Sequence, residues 1–192
     1  MNRVLWVGIE HLESGLWPAV LRDSHAVLLG GGSDSSAWRR ALCEQAASLG
    51  VVARDWHEAD LKTVVGQCRA ADLIRQRAPL ARIVHCLPRW DSFDGGPNRS
   101  MARDDSAARL REVTEGVLTI SQAALATLAP GGERSYTLLG QAPDRHCGPV
   151  GTAAEAFVRS WVQSTQPLWH LSGFTLRYLT PQAWLASDSG GE

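Results

Sequence analysis

Lysine is almost missing from this chain: Lys62 stands alone, and arginine supplies the rest of the 19 basic side chains. Asparagine occurs only as Asn2 and Asn98, and tyrosine only as Tyr136 and Tyr178. The arginine bias reads as codon usage in a GC-rich genome, whereas the scarcity of the other three restricts which proton-transfer chemistries the chain can run. An excess of one charge is also lacking. With 19 basic and 20 acidic side chains the formal net charge is −1, which excludes the electrostatic footprint of a nucleic-acid or acidic-lipid binder. No apolar run approaches the roughly 18 to 20 residues of a membrane span. The opening MNRVLWVGIEHLESGLW lacks the apolar core of a secretory leader. Cys43, Cys68, Cys86 and Cys147 form no C-x-x-C pair and no disulfide framework, so a reducing compartment, the cytoplasm, is expected.

What is present is alternation. Short apolar runs separate longer amphipathic ones, the pattern of a mostly parallel sheet covered by helices on both faces. His25 to Gly30 reads as a buried strand ending in Gly30-Gly31-Gly32, and the oxygens of Ser33 to Ser36 are ready to cap a helix. Trp38, Ala41, Leu42, Ala46 and Leu49 fall on one face of that helix, which Gly50 stops. A second strand is expected at Val51–Trp56, a helix at Leu61–Arg77 and a strand centred on Ile83 and Val84. Ser92–Ser106, polar and rich in glycine, reads as a loop. Leu110, Val113, Val117, Ile120, Ala124 and Leu128 mark a helix at Arg109–Leu128. Strands follow from Ser135 and from Phe174, with a helix at Thr152–Val162 between them. The expectation is one α/β, Rossmann-like three-layer sandwich with a mostly parallel sheet over 25–186. It is preceded by an extension over 1–24, whose Arg3–Ile9 adds an edge strand, and followed by a frayed tail over 187–192.

Three stretches sharpen this: RIVHCLPRWDS, LTISQAALATL followed by RSYTLLGQAP, and GPVGTAAEAFVRSW. In this order over residues 25 to 181 the chain resembles the short-chain dehydrogenase/reductase superfamily. Within it, the closer likeness is to the structural, non-catalytic half of polyketide synthase ketoreductase domains. Reacting members of that family use a tyrosine with a lysine four residues on, a serine before them and an asparagine on the long helix. Here the residue four before Lys62 is Glu58, no Tyr-x-x-x-Lys exists, and Arg109–Leu128 holds no asparagine. The resemblance puts Cys147 and Gly151 where that tyrosine and lysine would stand. Its cofactor turn, T-G-x-x-x-G-x-G, is matched only by Gly30, Gly31, Gly32 and Ser33, a vestigial cofactor-binding run followed by Asp34 and Trp38. A tight strand-to-helix turn explains the same residues.

Other constellations admit two readings. His85-Cys86 and His146-Cys147 would lie near one another at the carboxyl edge of such a sheet, as zinc ligands or as a thiol with its base. Yet neighbours on a strand point to opposite faces, so buried thiols and surface histidines are the expectation, with no metal and no response to chelators. Asp55, His57, Glu58 and Asp60 are placed either to take a ribose or to cap the following helix. Phe157, Trp161 and Trp169 flank the helix by which family members pair, and are expected at a partner interface. The resulting expectation is a catalytically silent, ketoreductase-like module without a cofactor. It would bind a catalytic ketoreductase or another synthase domain, or self-associate through its later helices. The alternative is a divergent NADPH-dependent ketoreductase that uses Cys147 or His146 as acid.

Overall fold

The computed structural model describes residues 3–21, 26–31, 35–50, 55–89, 103–128, 134–140 and 148–188. Six strands, β1 (Val4–Val7), β2 (Ala26–Gly30), β3 (Trp56–Glu58), β4 (Arg82–Cys86), β5 (Ser135–Leu139) and β6 (Thr175–Leu179), form one sheet in the order β3-β2-β1-β4-β5-β6. Every neighbouring pair is parallel. Six helices connect or follow them: α1 (Trp17–Leu21), α2 (Ser35–Ser48), α3 (Val64–Gln76), α4 (Arg103–Thr127), α5 (Pro149–Leu171) and α6 (Pro181–Asp188).

The three layers follow from the period of two along each strand. Leu5, Val7, Val27, Leu29, Ile83, Tyr136 and Leu138 point to one face and meet α3, α4 and α5. Val4, Trp6, Leu28, Val84, Cys86 and Leu139 point to the other and meet α1, α2 and α6. Strands buried on both faces read as continuous apolar runs, as parallel sheets do. This is the expected Rossmann-like sandwich.

Several boundaries differ from expectation. The N-terminal strand lies in the middle of the sheet, with β2 on one side and β4 on the other, and is no edge strand. Its four residues, VLWV, are wholly buried, because a central strand has neighbours on both sides and both faces. Helix α4 begins at Arg103, inside the stretch read as a loop. Helix α5 starts at Pro149, whose ring fixes the backbone angle a first helical residue needs, and runs past Pro167 to Leu171, well beyond Val162. Helix α6 takes in Ser187 and Asp188 of the expected tail. Residues 51–54, which carry most of the second expected strand, lie outside the described residues. Among the described residues no helix is long and apolar enough to cross a membrane, and Cys43, Cys68 and Cys86 are free thiols.

Candidate functional site

In an open parallel sheet, ligands bind beyond the carboxyl ends of the strands at the point where strand order reverses. Here that point lies between β1 and β4. The turn after β1 begins at Gly8, with φ of +70°, a value that strains any residue with a side chain. A Cβ there would also stand 2.5 Å from the carbonyl oxygen of Cys86 on β4. Glycine thus lets the chain pass close over β4 and enter the 3-10 turn Ile9–His11.

That turn brings two titratable side chains into the crevice. Glu10 Oε1 accepts the amide hydrogen of Gly31, 3.1 Å away at the end of β2. Among the described residues its buried Oε2 has no hydrogen-bond partner, and it lies against Gly30, where a Cβ would collide with it. Burial raises the Glu10 carboxyl above the ordinary range, and His11 and the Gly31 amide pull the other way. His11 Nε2 lies 2.9 Å from Oε1 of Glu112 on α4, across 101 residues of chain. Glu112 is only 3% exposed, and its other oxygen is 3.7 Å from Arg109 Nη1. The crevice, about 350 Å³, is bordered by Glu10, His11, Leu12, Glu13, Arg89 and Arg109.

Beneath it lies a second polar pair. His85 Nδ1 is 2.8 Å from the Tyr136 hydroxyl, with both side chains buried. Ile83 is in register with Tyr136, so His85, two residues on and on the same face, reaches it diagonally. Burial, helped by His11, drives the His85 imidazole down to about 3, so the pair is neutral near pH 7. Burial raises the Tyr136 hydroxyl as well. Cys86 faces the opposite side of the sheet, and burial, with Glu10 adding to it, raises its thiol far above the reactive range.

The residues singled out from sequence scatter. Gly30 and Gly31 close β2, not the first strand-to-helix turn. The glycine run follows the second strand of the sheet, because β1 precedes it inside the sheet and supplies the first turn. Gly32, Ser33 and Asp34 lie outside the described residues, as do His146 and Cys147. Gly151 is buried in the first turn of α5. Trp169 is a core residue, 3% exposed and stacked on Tyr136 at 5.5 Å. It cannot serve as an interface anchor. Phe157 and Trp161 are half-buried against the same core. Asp60 Oδ1 accepts the amide of Lys62, but the cap of α3 is Thr63, whose hydroxyl accepts from the Gly66 amide. Asp55 pairs with His57 and Arg77, both at 2.7 Å. Among the described residues no group of three side chains is arranged to hold a metal. Glu10, His11 and Glu112 were missed. An acid beside an inward valine on a helix is ordinary, and only the fold brings it to His11.

No family model matches the chain, and no curated protein does. Solved structures do. BdcA from E. coli shares 14% identity at a TM-score of 0.65 over 93% of this chain and 81% of that one. A short-chain dehydrogenase from Burkholderia cenocepacia, solved with NADP, shares 21% identity at a TM-score of 0.66, covering 92% and 72%. Acetoin dehydrogenase from Enterobacter cloacae shares 16% at 0.67, covering 94% and 75%. At these identities the likeness is one of fold, the short-chain dehydrogenase fold.

A dinucleotide, which several such neighbours hold, fits this crevice poorly. Its diphosphate normally sits on glycine-lined amides at the N-terminus of the helix after β1. Here that helix, α1, has five residues, the turn offers no glycine between Gly8 and Gly15, and Glu10 lies within it. In its ionised form the Glu10 carboxylate repels a diphosphate placed in this turn. Protonated, the Glu10 carboxyl would still cover the Gly31 amide.

Proposed function

We propose that this chain is a catalytically silent module with the short-chain dehydrogenase fold, which works by binding a partner in the cytoplasm rather than by transferring hydride. The partner class this reading favours is a catalytic ketoreductase or another domain of a polyketide- or fatty-acid-type synthase, or a second copy of the chain. One observation carries the reading: the Glu10 carboxylate stands in the first strand-to-helix turn and takes the Gly31 amide for itself. The missing Tyr-x-x-x-Lys pair supports it from the sequence side. The partner surface moves accordingly. With Trp169 in the core, the exposed large apolar side chains among the described residues of α4 and α5 are Leu118, Leu125, Leu168 and Leu171, the last 83% exposed.

A second reading has its own support. Several fold neighbours were solved with NADP or NADPH, which favours a divergent NADPH-dependent ketoreductase with Cys147 or His146 as substitute acid. The experiment that separates the two is a turnover assay with NADPH or NADH and simple β-keto thioesters. The silent module gives no turnover above buffer. Turnover lost when His146 and Cys147 become alanine establishes the second reading. Turnover that survives both changes defeats both accounts of the chemistry.

A further inference from the structure

The sheet face that meets α1, α2 and α6 changes character at one corner. Register aligns Val4, Arg82, Ser135 and Thr175 in a row across β1, β4, β5 and β6. Two residues on, and therefore on the same face, the next row holds Trp6, Val84, Thr137 and Arg177. Cys86, Leu139 and Leu179 make a third. Val4, Trp6, Val84, Cys86 and Leu139 are buried with Trp184 of α6 in one apolar cluster. Toward the amino ends of β4, β5 and β6 that cluster gives way to Arg82, Ser135, Thr137, Thr175 and Arg177. Ser135 and Thr137 are only 7% and 6% exposed, and no described residue hydrogen-bonds either hydroxyl. A buried hydroxyl without a partner is unfavourable. Arg177, exposed on the last strand of the sheet, has no ion-pair partner among the described residues.

Two arginines thus flank a line of hydroxyls. On standard sheet spacings the Cα atoms of Arg82 and Arg177 lie about 12 Å apart, two strands over and two residues along, with Ser135 and Thr137 between them. Two side chains as long as arginine can converge across that distance on one ion. The donors decide the ligand. Hydroxyls and guanidinium forks that approach from several sides suit a tetrahedral oxyanion, whose oxygens accept in different directions, better than a planar carboxylate, which one fork already fills. None of the positions of β1, β4, β5 and β6 on this face is acidic, and the corner lies at the end of the sheet opposite Glu10. We infer that the corner formed by Arg82, Ser135, Thr137, Thr175 and Arg177 binds a phosphate group. Arg177 is its cationic anchor on the β6 side, Arg82 adds charge from β4, and the hydroxyls donate to its oxygens. This goes beyond the proposed partner binding and does not depend on it.

The test is an NMR titration of the full chain with sodium phosphate and, separately, sodium acetate at matched ionic strength. Backbone amides and arginine side-chain resonances are followed. The expected result is saturable phosphate binding with a Kd of millimolar order, tighter than acetate by about tenfold, with the largest shifts at Ser135, Thr137, Thr175 and Arg177. Arg177→Gln weakens phosphate binding by about tenfold or more, and Arg177→Lys restores part of it. Thr137→Val and Ser135→Ala, each removing one hydroxyl, weaken it by about tenfold for the lost hydrogen bond to a charged group. Far-ultraviolet circular dichroism establishes that each variant is folded, and Arg177, being exposed, is replaced without opening the core. Glycerol 3-phosphate bound more tightly than inorganic phosphate supports the site as one for an ester, and the reverse order supports it as one for the free ion. Phosphate that fails to saturate at about 100 mM, two decades above that Kd, overturns the inference. So does undiminished binding in folded Arg177→Gln, equal binding of phosphate and acetate, or shifts confined to other residues.

Discussion

Replacing the buried His85–Tyr136 pair with His85→Leu and Tyr136→Phe together should flatten the acid side of the stability profile. In the folded chain the imidazole resists protonation down to about pH 3 because its charge would have no water around it; unfolded, it titrates near 6.5. The folded pKa is the lower one, so between the two values the unfolded chain binds the extra proton. Acid therefore draws the equilibrium toward unfolding. Stability is full above about 6.5 and is lost as the pH falls toward 3, at up to about 1.4 kcal/mol per pH unit. From pH 7 to 5 that amounts to roughly 2 kcal/mol, a sizeable part of the 5 to 15 typical of a domain. Glu10 acts in the opposite sense, since its raised carboxyl stabilises the folded state on the acid side. The comparison must therefore be between parent and variant, which share Glu10. Urea titrations at half-unit steps from pH 7.5 to about 4.5 measure the difference. The double variant replaces both partners of the hydrogen bond by apolar groups, which at neutral pH costs little. The single change Tyr136→Phe strands the histidine and should cost about 1 to 3 kcal/mol. Parallel pH profiles for parent and double variant would refute the reasoning.

Trp169→Ala should act as a core truncation, lowering stability by about 3 to 5 kcal/mol in urea unfolding, whereas loss of association with stability intact would return the residue to a surface role. Gly8→Ala should cost at least about 1 to 3 kcal/mol, from the left-handed backbone and the contact with the Cys86 carbonyl. A melting temperature equal to the parent's would show that the turn needs no glycine. Leu168→Glu with Leu171→Glu should leave unfolding unchanged while reducing self-association or capture by a synthase ketoreductase in sedimentation and pull-down. Unchanged association would remove this face from consideration.

The elements legible from sequence were those with a clean period. Strands β2, β4, β5 and β6 and helices α2 and α4 announced themselves by apolar spacing, and the three-layer class followed. Strand β1 was visible as VLWV, but its place was not. Four residues carry no mark of being flanked on both sides, and the longer, glycine-ended β2 looked more like the start of the unit. That one displacement carried the expected cofactor turn with it. Helix α5 outruns its expected end at Val162, and Ala154, Val158, Val162 and Trp169 keep to one buried stripe at spacings of four, four and seven. Had the helix been continued through Pro167, Trp169 would have fallen in phase with the core. The crevice was beyond sequence reading for a different reason. His11 and Glu112 meet across 101 residues, and Glu10 gains its meaning only when β1 and β2 lie side by side. Burial and partnership there are products of topology, which no local pattern encodes.

Calorimetric titration of the purified chain with NADPH tests the central claim most directly. If Glu10 closes the first strand-to-helix turn to a diphosphate, the parent chain shows no saturable heat. Stoichiometric binding of NADPH with a Kd in the micromolar range, about −8 kcal/mol, would contradict it. The chain would then have to be read as a working member of the dinucleotide-binding fold.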